Sequence, residues 1–349
     1  MQIFTCIFIV PKYKINVNLF VHNKNGDFMR FRLGYVAISL TLDEICHFHT
    51  LTYTSYQKLG KKEANLKLAS IIKENLTTLE TILKYNVHNH IYFYRISHHI
   101  MPLASHKNVT FDYINPYKKQ WLRLGNYIKE NNIRIDIHPD QYCVLNSTNP
   151  EVISNSKEIL KCNQKLFNVL HIPGKVILHV GSSVNGKEES KQRFIEQFLS
   201  FSPSIQKMIL LENDDKVYNI IDVLELCEKL KIPMVLDYHH YICNHGKEKL
   251  KDYLPRIFHT WKNTNLTPKI HFSSPKSKKE KRSHSTYIIL KDFLKMIDIV
   301  KDFNQDIDIM LECKGKDEAL FRLSRQLKEI SYIKCINNST FEIEKDYKI

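Results

Sequence analysis

The sequence predicts an α/β protein in which eight βα units close into a single (β/α)8 barrel. Short apolar runs rich in β-branched and aromatic residues recur along the chain. The stretches between them follow the period of amphipathic helices. Parallel strands that are buried on both faces need such helices as crossovers, so the alternation favours a barrel. An open doubly wound sheet is the alternative architecture.

Eight strand-like runs are spaced so that a helix fits between each pair. In chain order they are Arg32–Ile38, Ile91–Ser97, Ile133–His138, Lys175–Val180, Lys207–Glu212, Pro233–Asp237, Lys269–Ser273 and Asp306–Glu312. Two of the helical faces are clear from steps of three and four residues. They consist of Leu68, Ile72, Leu76, Leu79 and Leu83, and of Leu320, Leu323, Leu327 and Ile330.

One domain, residues 30–333, accounts for the barrel. Residues 1–29 are an N-terminal extension, which is either an upstream start or appended tail, or an extra β-hairpin over the barrel bottom. Residues 334–349 are expected to be a C-terminal tail. The eight cysteines are scattered without a CxxC pair, and no apolar run approaches the roughly 20 residues of a membrane span. We therefore expect a soluble, monomeric, cytoplasmic protein, associated with the nucleoid if it is bacterial.

The chain is basic, with 51 Lys and Arg against 37 Asp and Glu and a formal net charge of +14. Such an excess favours a polyanionic partner such as nucleic acid or an anionic membrane surface. A lysine-rich solubilising surface has the same composition, so the charge alone does not decide between these alternatives.

Metal-ligand residue types close or follow six successive strands. They are His138, His179, Glu212, Asp237 followed by His240, His271 within the seventh strand, and Glu312. In a (β/α)8 barrel the active site forms at these carboxyl ends. A single histidine or carboxylate there is more often structural, but six strands in succession predict a metal site. Imidazole and carboxylate together suit zinc, manganese or iron, and a carboxylate can bridge two ions.

Two loops add candidates at the same end of the barrel. PLASH after the second strand contains His106, and PKSKKEKRSH after the seventh contains His284. The second loop also carries the basic residues Lys276, Lys278, Lys279, Lys281 and Arg282. Placed over the barrel mouth, these charges would bind a phosphodiester backbone. A solvated charged loop is the alternative interpretation.

The strand-end segments together resemble the UV damage endonucleases of bacteria and fungi. The segments are RLGYVAISL, RISHHIMPLASH, HPDQY, LHVG, LENDD, LDYHH, KIHFSSP and LECKGKDEAL. The resemblance covers about residues 30–320 and implies a barrel related to endonuclease IV. It implies a metal-dependent DNA repair endonuclease that nicks damaged double-stranded DNA 5′ of cyclobutane dimers and 6-4 photoproducts. Abasic sites are further implied substrates, and the nick leaves a 3′-hydroxyl.

The resemblance also implies roles for individual residues. Its metal-centre positions match His106, His138, His179, Glu212, Asp237, His240, His271, His284 and Glu312, and Lys269 matches a lysine that can be carboxylated. Glu212, Asp237, Glu312 and Lys269 are the expected catalytic residues. The implied cofactor is two or three Mn²⁺ ions, with Zn²⁺ or another divalent ion as the alternative. The expected ligand groups are three: His138 and His179 with Glu212; Glu212 with Asp237, His271 and Glu312; and His240 and His284 with modified Lys269. His106 is an alternative to His179.

For the lesion, the resemblance implies that Gln141 and Tyr142 insert into the duplex and that Tyr35 lines the same pocket. Asp140 departs from the residue that many relatives carry, and Ser39 from one that some carry, which puts the lesion preference in doubt. Two other functions stay open. One is a sugar isomerase or epimerase of the same barrel class, and the other is a damage-binding protein that does not cleave.

Overall fold

Eight parallel strands close into a barrel in the computed structural model, which describes residues 28–42, 44, 46–139 and 143–344. The strands are β1 Phe28–Ala37, β2 Phe93–Ile96, β3 Arg134–Ile137, β4 Lys175–His179, β5 Ile209–Glu212, β6 Met234–Asp237, β7 Lys269–Phe272 and β8 Ile307–Leu311. Each strand pairs with the next, and β1 closes the barrel by pairing in parallel with both β8 and β2. The predicted fold class is confirmed. Seven strands lie within their predicted runs, and β1 begins four residues before its run.

Helices cover the outside of the barrel. In the described part of the chain they are α1 Tyr53–His88, α2 Lys118–Glu130, α3 Pro150–Leu170, α4 Lys187–Leu199, α5 Pro203–Met208, α6 Ile220–Leu230, α7 Tyr238–Cys243, α8 Leu250–His259, α9 Leu290–Val300 and α10 Lys316–Lys328. The predicted leucine and isoleucine face of α1 is buried against the barrel. Gly60 interrupts α1, and its φ of 73° is a conformation that glycine adopts without strain.

A C-terminal hairpin extends the sheet beyond the barrel. It consists of β9 Ile333–Cys335 and β10 Thr340–Glu344, and β10 pairs antiparallel with the first half of β1. The sequence predicts only a tail here. The hairpin forms because β1 is ten residues long and pairs with β2 only in its second half, so its first half offers a free edge. Phe341 stacks on Phe31 with ring centroids 5.0 Å apart, which buries the added strand.

The predicted N-terminal extension lies outside the described residues, except for its last two positions, which begin β1. Among the described helices, none is both long enough and apolar enough to cross a bilayer. All eight barrel strands run in one direction, so the loops that follow them gather at one end, the barrel mouth.

Candidate metal centre

Glu212 lies at the centre of the polar residues at the barrel mouth. It ends β5, and its side chain is fully buried. His138 Nε2 lies 3.4 Å and His179 Nε2 4.0 Å from Glu212 Oε2, while His271 Nδ1 lies 2.8 Å from Oε1. The strand register explains the convergence, because His179 is directly opposite Glu212 in the β4–β5 pair.

Two groups of side chains meet at Glu212. His138, His179 and Glu212 place one ligand atom each within 4.8 Å of one another, and so do Glu212, Asp237, His271 and Glu312. We call these six residues the Glu212 cluster. They reproduce the first two ligand groups expected from the resemblance, and Glu212 is the member common to both.

Burial and charge set the protonation of the three carboxylates. Burial alone would raise the pKa of Glu212, but the adjoining His271, His179 and His138 hold the pKa of that carboxyl well below its usual value. Burial raises the pKa of Asp237 well above its usual value, with a further contribution from the charge of Glu212. Three carboxylates so close together, two of them buried, therefore need additional positive charge to be ionised at once.

The donor set fits divalent cations. Asp237 Oδ2 and His179 Nδ1 are buried and have no hydrogen-bond partner among the described residues. His138 is oriented as a metal-binding histidine usually is. Nδ1 of His138 donates to the carbonyl of Pro139 at 2.9 Å, which leaves its Nε2 to face Glu212. Mixed carboxylate and imidazole ligands suit manganese, zinc and iron.

His240 adjoins the cluster and is oriented in the same way. Its Nδ1 donates to the carbonyl of Asn213 at 2.9 Å, and its backbone N–H donates to Asp237 Oδ1 at 2.7 Å. The Asn213 side chain is bonded in both directions to the Asp237 backbone, at 2.9 Å each way. Burial lowers the pKa of His240, but the charges of Asp237 and Glu212 raise it by more. The pKa of His240 is therefore raised to about 9.

Arg95 is a member of the site that sequence reasoning missed. It is buried on β2, where Nη1 lies 2.6 Å from Glu312 Oε1 and Nη2 donates to His271 Nε2 at 2.8 Å. A guanidinium only donates, so His271 Nε2 accepts and its Nδ1 carries the proton that faces Glu212. Arg95 also holds the pKa of Glu312 low against the opposing effect of burial. In the sequence, Arg95 could have been found as the charged residue inside the apolar run IYFYRIS.

The remaining predicted ligands are not within ligand distance of the cluster. His106 stacks on Tyr53 with ring centroids 3.7 Å apart and belongs to neither group. His284 lies beside His240, with ring centroids 6.2 Å apart. Of the two alternatives, His179 and His106, the structure brings His179 to Glu212.

Lys269 lies deeper in the barrel. Its Nζ is 2.5 Å from Asp136 Oδ2, and both side chains are fully buried. Burial lowers the pKa of the Lys269 ammonium to about 8, against the opposing charge of Asp136. The third expected ligand group, Lys269 with His240 and His284, is therefore not assembled. Carboxylation of Lys269 would place a second anion beside Asp136. This modification of Lys269 stays a prediction.

The structure buries Tyr35, which was expected to line the lesion pocket, and Ser39, which departs from the family pattern. Tyr35 does not line the mouth, because its side chain is fully buried under α1, with its hydroxyl donating to Asn86 Oδ1 at 2.7 Å. Ser39 is also buried, and its hydroxyl donates to Asp317 Oδ2 at 2.6 Å. Gln141, Tyr142 and the neighbouring Asp140 lie outside the described residues.

The loop at residues 275–284, the basic loop, lies beside the cluster. All five of its basic side chains are exposed. Arg282 reaches Asp215 at 2.5 Å in the loop after β5, and Lys276 pairs with Glu280 at 2.7 Å. Cys243 of α7 also donates to the carbonyl of Lys281 at 3.5 Å. These contacts fix the loop beside the site and leave cationic side chains in solvent.

Comparison with known proteins decides the family. The sequence profile described as UV-endonuclease UvdE matches residues 31–346. The chain belongs to this UV-endonuclease family. It is 40% identical over 316 residues to a UV DNA damage endonuclease from Bacillus thuringiensis subsp. konkukian, covering 90% of this chain and 100% of the relative. A relative of the same name from Bacillus anthracis has the same identity and coverage. UvdE proteins are endonucleases, so this chain is an enzyme of that class.

Solved structures support the same assignment. The crystal structure of SacUVDE matches with a TM-score of 0.78 and 35% identity, over 86% of this chain and 99% of SacUVDE. Endonuclease IV from Thermus thermophilus matches with a TM-score of 0.52 and 15% identity, over 85% of this chain and 99% of that protein. The second likeness is one of fold. This UvdE member therefore has an endonuclease IV-like barrel with a His and carboxylate cluster at its mouth.

Proposed function

We propose that this UvdE protein is a divalent-metal-dependent DNA repair endonuclease. It nicks double-stranded DNA immediately 5′ of cyclobutane dimers and 6-4 photoproducts, acts on abasic sites as well, and leaves a 3′-hydroxyl. The observation that carries the proposal is Glu212, which is shared by two ligand groups at the barrel mouth of a UvdE chain. A shared carboxylate suits two adjacent ions, the arrangement that many phosphodiester-cutting enzymes use.

The Glu212 cluster would hold the metal ions, with His240 beside it. We expect two or three manganese ions, and zinc fits the same ligands. When bound, such ions supply Lewis-acid stabilisation of the negative charge that develops as a phosphodiester is hydrolysed. The chain itself supplies the fixed geometry, because Glu212 and Asp237 are buried at the ends of neighbouring strands and cannot turn away.

DNA binding falls to the exposed charges around the mouth. Lys278, Lys279 and Lys281 of the basic loop form no ion pair with any described residue, so they are available to phosphates. The hydrolysed bond is the same in damaged and intact DNA, so lesions must be sensed by shape. Insertion of Gln141 and Tyr142 at a poorly stacked dimer would do this at a lower unstacking cost than at a normal pair.

The decisive experiment compares UV-irradiated and unirradiated supercoiled plasmid, each incubated with the purified full chain and MnCl2. We expect nicking of the irradiated plasmid alone, and extension of the nick by a DNA polymerase without phosphatase treatment, which requires a 3′-hydroxyl. Equal nicking of both plasmids would contradict lesion specificity. Damage binding without nicking would favour the non-cleaving alternative.

A further inference from the structure

A cavity lies at the end of the barrel opposite the mouth, and we call it the bottom cavity. Its volume is about 570 Å³. Residues near the amino-terminal ends of β1, β3, β4 and β8 form its wall, together with the loop that precedes β7. Apolar side chains such as Ile128 and Ile172 cover part of the wall. The volume is in the range of sites that hold small organic ligands.

The charged side chains of the bottom cavity leave an excess of positive charge. Five lysines and arginines line the cavity, against three aspartates. Glu342 and Lys269 pair with side chains of the wall from behind it, and their opposite charges leave the excess unchanged. A concave site with an excess of one charge concentrates ions of the opposite charge. The bottom cavity is therefore suited to an anion.

Part of this excess arises because two arginines share the carboxylate of Asp308. Arg32 binds both of its oxygens, with Nε 2.6 Å from Oδ1 and Nη2 2.7 Å from Oδ2. Arg134 Nη1 lies 2.6 Å from the same Oδ2. Arginine stays protonated in proteins, so one carboxylate cannot neutralise both guanidinium groups. The three side chains together keep one positive charge, and both Asp308 and Arg134 are buried.

The Arg134 guanidinium has donors that no group of the described chain accepts. Its side chain is only 7% exposed, and its Nε and Nη2 are buried without a hydrogen-bond partner. Nε lies 3.9 Å from Asp136 Oδ2, beyond hydrogen-bond distance, and that oxygen already accepts a hydrogen bond from Lys269. Unpaired buried N–H groups of a cation cost free energy, and an acceptor in the cavity would remove this cost.

The Arg134 guanidinium is also held in a fixed position. Its Cζ lies 5.2 Å from the ring centroid of Phe93 and 5.3 Å from that of Trp261. Nη1 donates to the carbonyl of Thr267 at 2.6 Å as well as to Asp308. A cation held in this way loses little freedom when it binds a ligand.

Two lysines add charges that are not neutralised by any described acidic side chain. Lys175, the first residue of β4, is half-buried, and its Nζ donates to the carbonyl of Lys207 at 2.6 Å. That carbonyl is neutral, so the charge of Lys175 remains. Lys129, near the end of α2, is exposed and forms no ion pair within the described part of the chain. Both lysines line the bottom cavity with Arg134.

We propose that the bottom cavity binds a phosphate group, as inorganic phosphate or as part of a nucleoside monophosphate. Arg134, Lys175 and Lys129 are its cationic contacts. A phosphate group carries about two negative charges at neutral pH and several strong acceptor oxygens. It therefore matches both the excess charge and the unpaired donors of Arg134. The site lies at the opposite end of the barrel from the Glu212 cluster, so this inference does not depend on the proposed function.

The experiment is isothermal titration calorimetry of the full chain in EDTA, with inorganic phosphate, thymidine monophosphate and thymidine as separate ligands. EDTA removes metal ions from the mouth, where they would bind phosphate themselves. We expect both phosphate compounds to bind and thymidine not to bind. Tighter binding of thymidine monophosphate would identify a nucleotide as the ligand, because the apolar wall then contributes. Equal affinities would identify inorganic phosphate.

Lysine variants test whether the binding takes place in the bottom cavity. Lys175→Gln should raise Kd about ten-fold, and Lys129→Gln about three-fold. The matched control is Lys207→Gln, which removes the same charge close to Lys175. The Lys207 side chain is exposed and does not line the cavity. Its substitution should therefore leave Kd within about two-fold of the native value.

Absence of phosphate binding would overturn the proposal, and so would a native Kd in Lys175→Gln or an equal effect of Lys207→Gln. A crystal of the native chain soaked with tungstate, an electron-dense analogue of phosphate, tests Arg134 without a substitution in the buried ion pairs. We expect the anion within hydrogen-bond distance of Arg134 in the bottom cavity. Tungstate bound only at the basic loop would contradict the assignment.

Discussion

Arg95 Nη1 lies 2.6 Å from Glu312 Oε1, and this ion pair is buried among the carboxylates at the barrel mouth. Arg95 also donates to His271, so a single guanidinium contacts two members of the Glu212 cluster. The Arg95 guanidinium is a fixed positive charge close to the buried side chains of Glu212 and Asp237. Metal ions bound at this cluster would therefore stabilise the same anions as Arg95.

Replacing Arg95 should weaken the metal-free protein most. Arg95→Gln leaves Glu312 buried without its partner, and we expect a loss of about 3 kcal/mol in the free energy of unfolding in EDTA. Added MnCl2 should restore more stability to this variant than to the native chain, because the ions replace the lost charge. Urea unfolding with and without metal measures both quantities.

Arg123→Gln is the control for that measurement. Arg123 pairs with Glu80 at the surface, so its loss should cost no more than about 1 kcal/mol under either condition. If Arg95→Gln loses the same free energy of unfolding with and without metal, Arg95 and the metal ions do not stabilise the same carboxylates.

Glu212→Gln should abolish nicking while DNA binding survives. The substitution preserves shape but removes the charge common to both ligand groups, so metal content should fall as well. Plasmid nicking, anisotropy binding and bound metal are measured on the same preparation. Glu329→Gln, at an exposed glutamate that follows the last residue of α10, is the control. An unfolded Glu212→Gln protein would instead make Glu212 a structural residue.

The stability of the metal-free protein should fall as the pH rises from about 6.5 to 9. The pKa of His240 is raised to about 9 in the folded chain, against about 6.5 when unfolded. Below pH 6.5 the imidazole is protonated in both states, so its attraction to Asp237 contributes fully. Between the two values only the folded chain keeps the proton, and up to about 3 kcal/mol is lost.

Urea unfolding in EDTA at pH 6 and pH 9 tests this dependence, and His240→Gln should flatten it. Metal affinity should change in the opposite direction and rise over the same range, because a metal ion displaces the His240 proton. A pH-independent stability in the native chain would contradict the assignment.

Tyr142→Ala should lower damage discrimination without loss of metal. The substitution removes the proposed wedge, so the ratio of nicking on irradiated to unirradiated plasmid should fall several-fold. Tyr253→Ala, on α8 at the outside of the barrel, provides the tyrosine control. An unchanged ratio with native metal content would remove Tyr142 from lesion recognition.

The sequence predicted the strands and the ligand types because both signals are local. A strand such as Lys175–His179 is a contiguous apolar run that ends in its own ligand, and parallel strands place such ends together once the barrel is assumed. Cluster members from six different strand ends were therefore predictable from their positions along the chain. The likeness across strand-end segments also predicted the family, which the UvdE match confirms.

Other features depend on contacts between distant segments. Arg95 gave no sequence signal for its partner, because Glu312 reaches it only after β1 closes the barrel between β8 and β2. The resemblance implies that Tyr35 lines the lesion pocket, whereas its side chain turns outward under α1. The pairing of β10 with β1 likewise follows from the unequal lengths of β1 and β2. The sequence of one strand does not show this difference in length.

For this protein, the amino-acid sequence alone determined the barrel, its strand-end ligands and the family. The closed barrel decides which ligands meet, that Glu212 is shared and that Lys269 pairs with Asp136. The physical reason is the distance along the chain over which each kind of interaction acts. Periodicity and residue type act over a few neighbouring positions, whereas burial, charge pairing and close packing are set by side chains that only the closed barrel brings together.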